Sequence, residues 1–352
     1  MRAYRKAVAG CALLLALTIA GCSGADGGGT ADAAAASPSE SSEPSESSTP
    51  VTAYAPYVSA TTASANDSAG SPTTYNLAFV LSANGSSSGA PDTGCTPRWN
   101  GDQDIADATV AARVAALKES GATVRVSFGG ASGTELAAAC DNASDLAAAY
   151  GEALDAAGST QADFDIEGDE LTDAESVALR SQALALLQEE RSGLEVSFTL
   201  PVMPSGLDAD SLALLASAND HGVRVSTVNL MTMNYGESYD GDMGDYALAS
   251  AEAAHAQMKE VFGTSDADAW RGMALTSMLG VNDVAGETFT LTDAAEVRAF
   301  AQEKGIAWVS VWSAFRDRQC TDDADTDDAA TDCSGVTQEA GAFGEAFGEA
   351  TE

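Results

Sequence analysis

The segment Ala162-Asp163-Phe164-Asp165-Ile166-Glu167 reads as a β-strand, and it constrains the chain more than any other stretch. Side chains alternate faces along a strand, so Asp163, Asp165 and Glu167 line one face while Ala162, Phe164 and Ile166 pack on the other. Neighbours on one face lie roughly 7 Å apart. Carboxylates that close repel, so at least one holds its proton above the usual value of about 4.3 for Glu. A neutral carboxyl beside ionised ones is what general-acid chemistry requires. A solvated edge strand would show the same alternation, so the rest of the chain must decide.

Strand patterns at Tyr75–Ser82, Thr123–Phe128, Leu194–Val202, Ser226–Tyr235, Gly272–Leu279 and Ile306–Ser313 join the acidic strand to make seven. Helical patterns separate them, at Ile105–Ser120, on to Ala157, after the sequence Thr172-Asp173-Ala174-Glu175 read as a capping box and closing near Gly193, then at Ser211–Asn219, Tyr246–Phe262 and Asp293–Lys304. Such alternation implies parallel βα units. A short strand near Trp99 or Asp104 would complete eight, giving a (β/α)8 TIM barrel. The rival is a doubly wound sheet. Functional-looking residues end several strands, as on a barrel's C-terminal face. No glycine-rich phosphate loop follows the first strand, which argues against a dinucleotide fold.

The 352 residues allow a targeting segment and one large domain, and 45% hydrophobic content can fill its core. Residues 1–21 read as a signal segment with a basic start and an apolar run, Ala12–Ala20, too short to span a bilayer. The formal charge of −37 becomes three units more negative once Arg2, Arg5 and Lys6 leave with that segment. Such a surface repels nucleic acid and anionic lipid headgroups. Ile19-Ala20-Gly21-Cys22 resembles the lipobox of bacterial lipoproteins. That resemblance implies lipidation at Cys22 and anchoring to the outer face of the bacterial cytoplasmic membrane, with no other membrane contact. Residues 22–72, rich in Gly, Ser, Thr, Pro and Glu, read as a disordered tether, and 73–350 as a single catalytic domain.

Cys11 lies within the signal segment and Cys22 is the implied lipid site, so four of the six cysteines remain for pairing. In an oxidising compartment two disulfides are expected. Cys320–Cys333 closes a short acidic loop, and Cys95–Cys140 follows by elimination. No CxxC pair exists, and His221 and His255 lack ligand spacing, so no zinc or other metal is expected. The acidic run 321–328 lacks the glycine and terminal Glu of an EF-hand loop and reads as solvated.

Over Tyr75–Phe347 the sequence resembles the family 18 glycoside hydrolases, the chitinases and endo-β-N-acetylglucosaminidases. The family's DxxDxDxE signature falls on Thr160 to Glu167, with Thr160 replacing the first aspartate. Its SxGG motif is matched by Ser127-Phe128-Gly129-Gly130. Val228–Gly236 resembles the sixth-strand motif, with Asn234 where an Asp is commoner. Val311–Asp317 resembles the end of the eighth strand.

The resemblance implies roles. Glu167 would be the general acid, and the substrate's own N-acetyl group the nucleophile, so that no cofactor is needed. Asp165 would orient the acetamide, Asp163 would share a proton with Asp165, and Tyr235 would bond the acetamide oxygen. Trp312 would floor the sugar, although a strand tryptophan is commonly core. Met233, Asn234, Ser127 and Gly129 would surround the substrate, the last two supporting the carboxylates by packing. Trp99 would line an outer subsite or cap a disulfide. Too few residues separate the seventh strand from Asp293 for the α+β insertion of processive members, so an open cleft and endo cleavage are expected. The resulting expectation is a secreted, surface-anchored, monomeric, retaining chitinase acting on N-acetylglucosamine polymers. The alternatives are an endo-β-N-acetylglucosaminidase on N-glycans and a catalytically silent sugar-binding lipoprotein.

Overall fold

The computed structural model describes residues 51–83, 94–321 and 333–348. The signal segment, Cys22, residues 22–50 and the acidic run 322–332 lie outside the described residues. The strands are β1 (Ala53–Tyr54), β2 (Tyr57–Ser59), β3 (Thr74–Ser82), β4 (Pro97–Trp99), β5 (Gln103–Asp104), β6 (Thr123–Gly129) and β7 (Gln161–Asp165). They continue with β8 (Glu195–Pro201), β9 (Val225–Met231), β10 (Met273–Met278), β11 (Gly280–Val281), β12 (Thr288–Phe289) and β13 (Trp308–Trp312).

Parallel pairing runs unbroken from β3 through β6, β7, β8, β9 and β10 to β13. The ring is closed by 53–59. β1 pairs with β13, Ala53 opposite Trp308, and β2 pairs with β3, Tyr57 opposite Asn76. Between them Ala55 donates to the Val309 carbonyl at 2.9 Å, and Pro56 accepts from Asn76 at 2.9 Å. Proline has no N–H to give, so the strand is broken there and passes from one neighbour to the other. The result is a (β/α)8 barrel.

Two expectations are corrected by this closure. Residues 51–72 are not tether: Tyr54, Ala55, Tyr57 and Val58 are buried in the barrel wall. Ser- and Thr-rich flanks masked a short apolar run whose partners are remote in sequence. The eighth stave is therefore not near Trp99. There β4 and β5 form an antiparallel extension on β3.

The helices are α1 (Ala108–Lys118), α2 (Leu136–Ala139), α3 (Ala143–Ala157), α4 (Gly168–Thr172) and α5 (Ala174–Glu190). They continue with α6 (Ala209–Asp220), α7 (Met243–Phe262), α8 (Asp266–Arg271), α9 (Leu291–Lys304) and α10 (Ala342–Gly348). The helix α5 begins on Asp173, whose side chain accepts from Glu175 N–H, and not on a Thr172 box. Thr172 is already used to complete α4. A reciprocal capping box forms instead at Thr290 and Asp293. Gly263 and Gly305 close α7 and α9 in the left-handed conformation, as expected of residues without Cβ.

Between β10 and α9 the chain makes only the antiparallel β11–β12 hairpin. Both disulfides form, Cys95–Cys140 and Cys320–Cys333. Behind the acidic strand, Phe128, Tyr150 and Phe164 pack ring against ring at 4.9–5.1 Å. Next to them Glu135 and Arg180 form a buried ion pair at 2.7 Å.

Candidate active site

The strand β7 brings its acids to the barrel axis in the alternation read from sequence. Asp163 is deepest and accepts four hydrogen bonds, all from hydroxyls. Ser127 donates at 2.6 Å and Tyr57 at 2.9 Å to Oδ2, while Thr199 at 2.8 Å and Ser197 at 2.9 Å donate to Oδ1. These donors come from β2, β6 and β8, so the closed ring fixes the carboxylate. Asn229 donates to Thr199 at 2.9 Å and accepts from Thr276 at 2.8 Å, carrying the network to β10. Within the same barrel interior Arg125 stacks over Trp308 at 3.9 Å, donates to Asn76 at 2.6 Å and interacts electrostatically with Asp163.

One turn up the strand, Asp165 is held well above the usual carboxylate range. Burial is the main cause, followed by the charges of Glu167 and Asp163. Its hydrogen bond with Glu167 adds to the rise. Its Oδ1 makes no hydrogen bond within the chain. Hydroxyls occupy both oxygens of Asp163, and its charge is among the causes that raise Asp165.

Glu167 lies just past the strand end, at the N-cap of α4, with no side-chain capping bond of its own. Burial first, then the charge of Asp283, push it up to about 7, against the opposing effect of its hydrogen bond with Asp165. Such a carboxyl is protonated over much of the range below neutrality, as a general acid must be.

The tight exit of β6 explains the two glycines. Gly129 and Gly130 have φ of 94° and 97°. A Cβ on Gly129 would lie against the carbonyl of Asp165, and one on Gly130 would lie 2.8 Å from the Phe79 ring. Gly130 N–H donates to the Asp165 carbonyl at 2.8 Å. These glycines let the β6 exit press against the acidic strand, a supporting role without chemistry.

Asp165 and Glu167 open into a pocket whose other walls include Tyr57, Phe79, Thr199, Met231, Met233, Asn234, Asp283 and Trp312. Trp312 is partly exposed on one wall, stacked with Phe79 at 5.6 Å and edge-on to Tyr57 at 5.7 Å. This is an apolar face of the kind that sugar rings lie on. A second hollow continues past Glu167 and is lined by Pro201, Met203 and Asp208. The site is a groove with the acid at its middle.

Met233, Asn234 and Trp312 therefore stand where the sequence placed them, and Ser127 supports Asp163. Tyr235 and Trp99 do not. Tyr235 turns outward, its hydroxyl accepting from Ser250 of α7 at 3.4 Å and its ring packed on Tyr239 and Tyr246. The strand ends at Met231, and Asn234 takes a left-handed φ of 56°. That residue breaks the period of two, so Tyr235 leaves the pocket. Trp99 is buried, with its indole N–H donating to the Ile105 carbonyl at 3.1 Å. It packs in the core and meets no groove.

Sequence reasoning missed Tyr57, Phe79, Thr199, Thr276 and Asp283. Tyr57 had a signal, the short apolar run of 53–58, whereas the others are ordinary residues near separate strand ends. Among the described residues, the one set of carboxylates with metal-ligand spacing is Asp242, Asp245 and Glu296, which is exposed and shares no residue with the pocket.

No protein-family model matches the chain. Two curated proteins are each 34% identical over 282 residues, 75% of this chain. One is the Escherichia coli K12 protein named "Probable bifunctional chitinase/lysozyme" and the other is "Endochitinase 11" of Metarhizium anisopliae. The match spans 31% and 52% of their lengths. The catalytic domain of a hyperthermophilic chitinase from Pyrococcus furiosus superposes with a TM-score of 0.73 at 29% identity, covering 85% of this chain and 94% of that one. Catalytic-site mutants of a domain of the thermostable chitinase from that organism have been solved with chito-oligosaccharides. Sequence, fold and acid row together align this barrel with the chitinase catalytic domains of glycoside hydrolase family 18.

Proposed function

We propose that the chain hydrolyses β-1,4-linked N-acetylglucosamine polymers or oligomers with retention of configuration, Glu167 acting as general acid. The observation that carries this reading is the acid row at the groove's centre, with Asp163 fixed by four hydroxyls, Asp165 held well above the usual carboxylate range by burial, and Glu167 opening into the groove and raised to about 7. Glu167 protonates the glycosidic oxygen as the bond breaks. The acetamide carbonyl of the substrate attacks the anomeric carbon, so no enzyme nucleophile is needed. The free Oδ1 of Asp165 is an acceptor for the acetamide N–H, which holds that group for attack. Asp163, fixed by four hydroxyls, supplies negative charge beneath the cationic intermediate. Trp312 carries the sugar ring. Tyr235 has no part in the reaction.

The groove continues on both sides of Glu167, and only a short hairpin stands where a deep wall would rise, which supports endo cleavage. Asp165→Asn is expected to lower kcat at least tenfold with little change in binding, as judged by steady-state rates and calorimetry. An unchanged rate would remove substrate assistance from the scheme.

The test of the whole reading is hydrolysis of chitin hexamer by the full chain, with Glu167→Gln alongside. Short β-anomeric products from wild type alone are expected. Saturable binding without products would replace hydrolysis by a sugar-binding role. Cleavage confined to N-glycans would replace it by endo-β-N-acetylglucosaminidase activity. We further propose that the chain is held outside the cell by a lipid on Cys22, acting as a monomer. Inhibiting lipoprotein processing is then expected to change the mass of the N-terminal peptide, and an unchanged mass would refute the anchor.

A further inference from the structure

The β11–β12 hairpin carries an acid that lies outside every motif in the sequence. Asp283, at its tip, lines the pocket together with Glu167. Asn234 fixes it from the β9 exit by two reciprocal bonds. The Asn234 amide donates to the Asp283 carboxylate at 3.1 Å, and the Asp283 N–H donates to Asn234 Oδ1 at 3.1 Å. A second clamp lies beside the first, where Glu287 of the same hairpin accepts the Gly236 N–H at 2.8 Å. Two side chains thus bolt the hairpin across the end of β9, and the bolt holds one carboxylate at the mouth.

We propose that Asp283 is a positioning residue for the reaction, clamped by Asn234 so that its negative charge faces the Glu167 carboxyl across the pocket. The proposal rests on Glu167 being the general acid. The carboxyls around Glu167 are Asp165 on β7, Glu170 on α4, Asp283 on the hairpin and, in the adjoining hollow, Asp208 at the N-cap of α6. The Tyr57 phenol on the same pocket wall donates to Asp163 and is held neutral by burial, well above its ordinary range. The hydrogen bond with Asp165 favours the ionised form of Glu167. Asp208 is committed to the Ser211 N–H at 2.8 Å. Among the charges, Asp283 has the largest effect on Glu167, ahead of Glu170. A neutral sugar brings no counter-charge. It displaces water, and so strengthens the field of Asp283 at the acid during turnover.

Fastening the hairpin and charging the pocket are separable roles. Asp283→Asn keeps an oxygen for the Asn234 amide and the same backbone bond, so it removes the charge and spares the clamp. The Glu167 carboxyl is titrated in full chain carrying 13C-labelled glutamate, its resonance assigned by its loss in Glu167→Gln. In Asp283→Asn the midpoint is expected to fall by about one pH unit. Glu119→Gln, a change in an exposed acid at the end of α1, should leave it in place. The alkaline limb of kcat/KM on chitin hexamer should move down in Asp283→Asn by the same amount. An unmoved midpoint in a folded Asp283→Asn protein would overturn this inference. Absence of hydrolysis by wild type would instead overturn the proposed function, and the titration separates the two.

Discussion

Glu167→Gln is expected to lower kcat on chitin hexamer by about a thousandfold while leaving the binding of the hexamer nearly unchanged. The loss of a positioned general acid is worth about 10²–10⁴, and here the donor acts on a poor leaving group without help from an enzyme nucleophile. Glutamine keeps the size and one acceptor of the side chain, so Trp312, Phe79 and the rest of the groove should still hold the sugar. Single-turnover rates and calorimetry check both halves. Full turnover by the variant would remove Glu167 from the chemistry.

The same substitution is expected to act oppositely on stability. The folded-state value of Glu167 is raised to about 7 from an ordinary 4.5. Between those values the folded chain binds more protons than the unfolded one, so this group's contribution falls as pH rises. Below about pH 4 both states hold the proton and nothing is lost. Glu167→Gln should therefore raise Tm at pH 8 and change it little at pH 4. A pH-independent change in Tm would contradict the origin of the shift. The acid is poised at a cost in folding.

Arg180→Leu is expected to destabilise the fold by about 3–5 kcal/mol, the usual cost of stranding one partner of a buried pair. Glu135 accepts from Arg180 at 2.7 and 3.1 Å, from Tyr150 at 2.6 Å and from the Ala137 N–H at 2.9 Å. Both charges are buried almost completely. Without the guanidinium, the carboxylate keeps two neutral donors and no counter-ion. Adding Glu135→Gln to Arg180→Leu should recover much of the loss, since it removes the stranded charge. Denaturant midpoints of the single and double variants measure this, and equal midpoints would show that the charge is not the cause. The pair also sits beside the site. A Cβ on Gly129 would lie 3.4 Å from the Glu135 side chain, so the pair backs the glycine exit that presses on Asp165.

Local periodicity made half of this site legible. Asp163, Asp165 and Glu167 follow from alternation within one strand, and Ser127 and Gly129 from another whose exit is too tight for side chains. Both signals lie within a few residues. Trp312 was legible through its place at a strand end. Tyr235 was misread for an equally local reason: a left-handed Asn234 ended the alternation on which its orientation depended. Trp99 was misread because nothing nearby showed that Ile105 would take its indole proton. The opening stave was missed because Ala53–Ser59 is too short to stand out from Ser- and Thr-rich flanks. Its partners, β13 and β3, meet it only when the ring closes.

By itself the sequence determined the alternation of strands with helices and the row of acids, because the two periods and the turn chemistry are properties of adjacent residues. Only the tertiary structure decided what those acids are. Hydroxyls from Tyr57, Ser127, Ser197 and Thr199 converge on Asp163 from three other staves. Asp283 reaches Glu167 from a hairpin more than a hundred residues away. Burial and field depend on distance through space, and no pattern along the chain carries that distance.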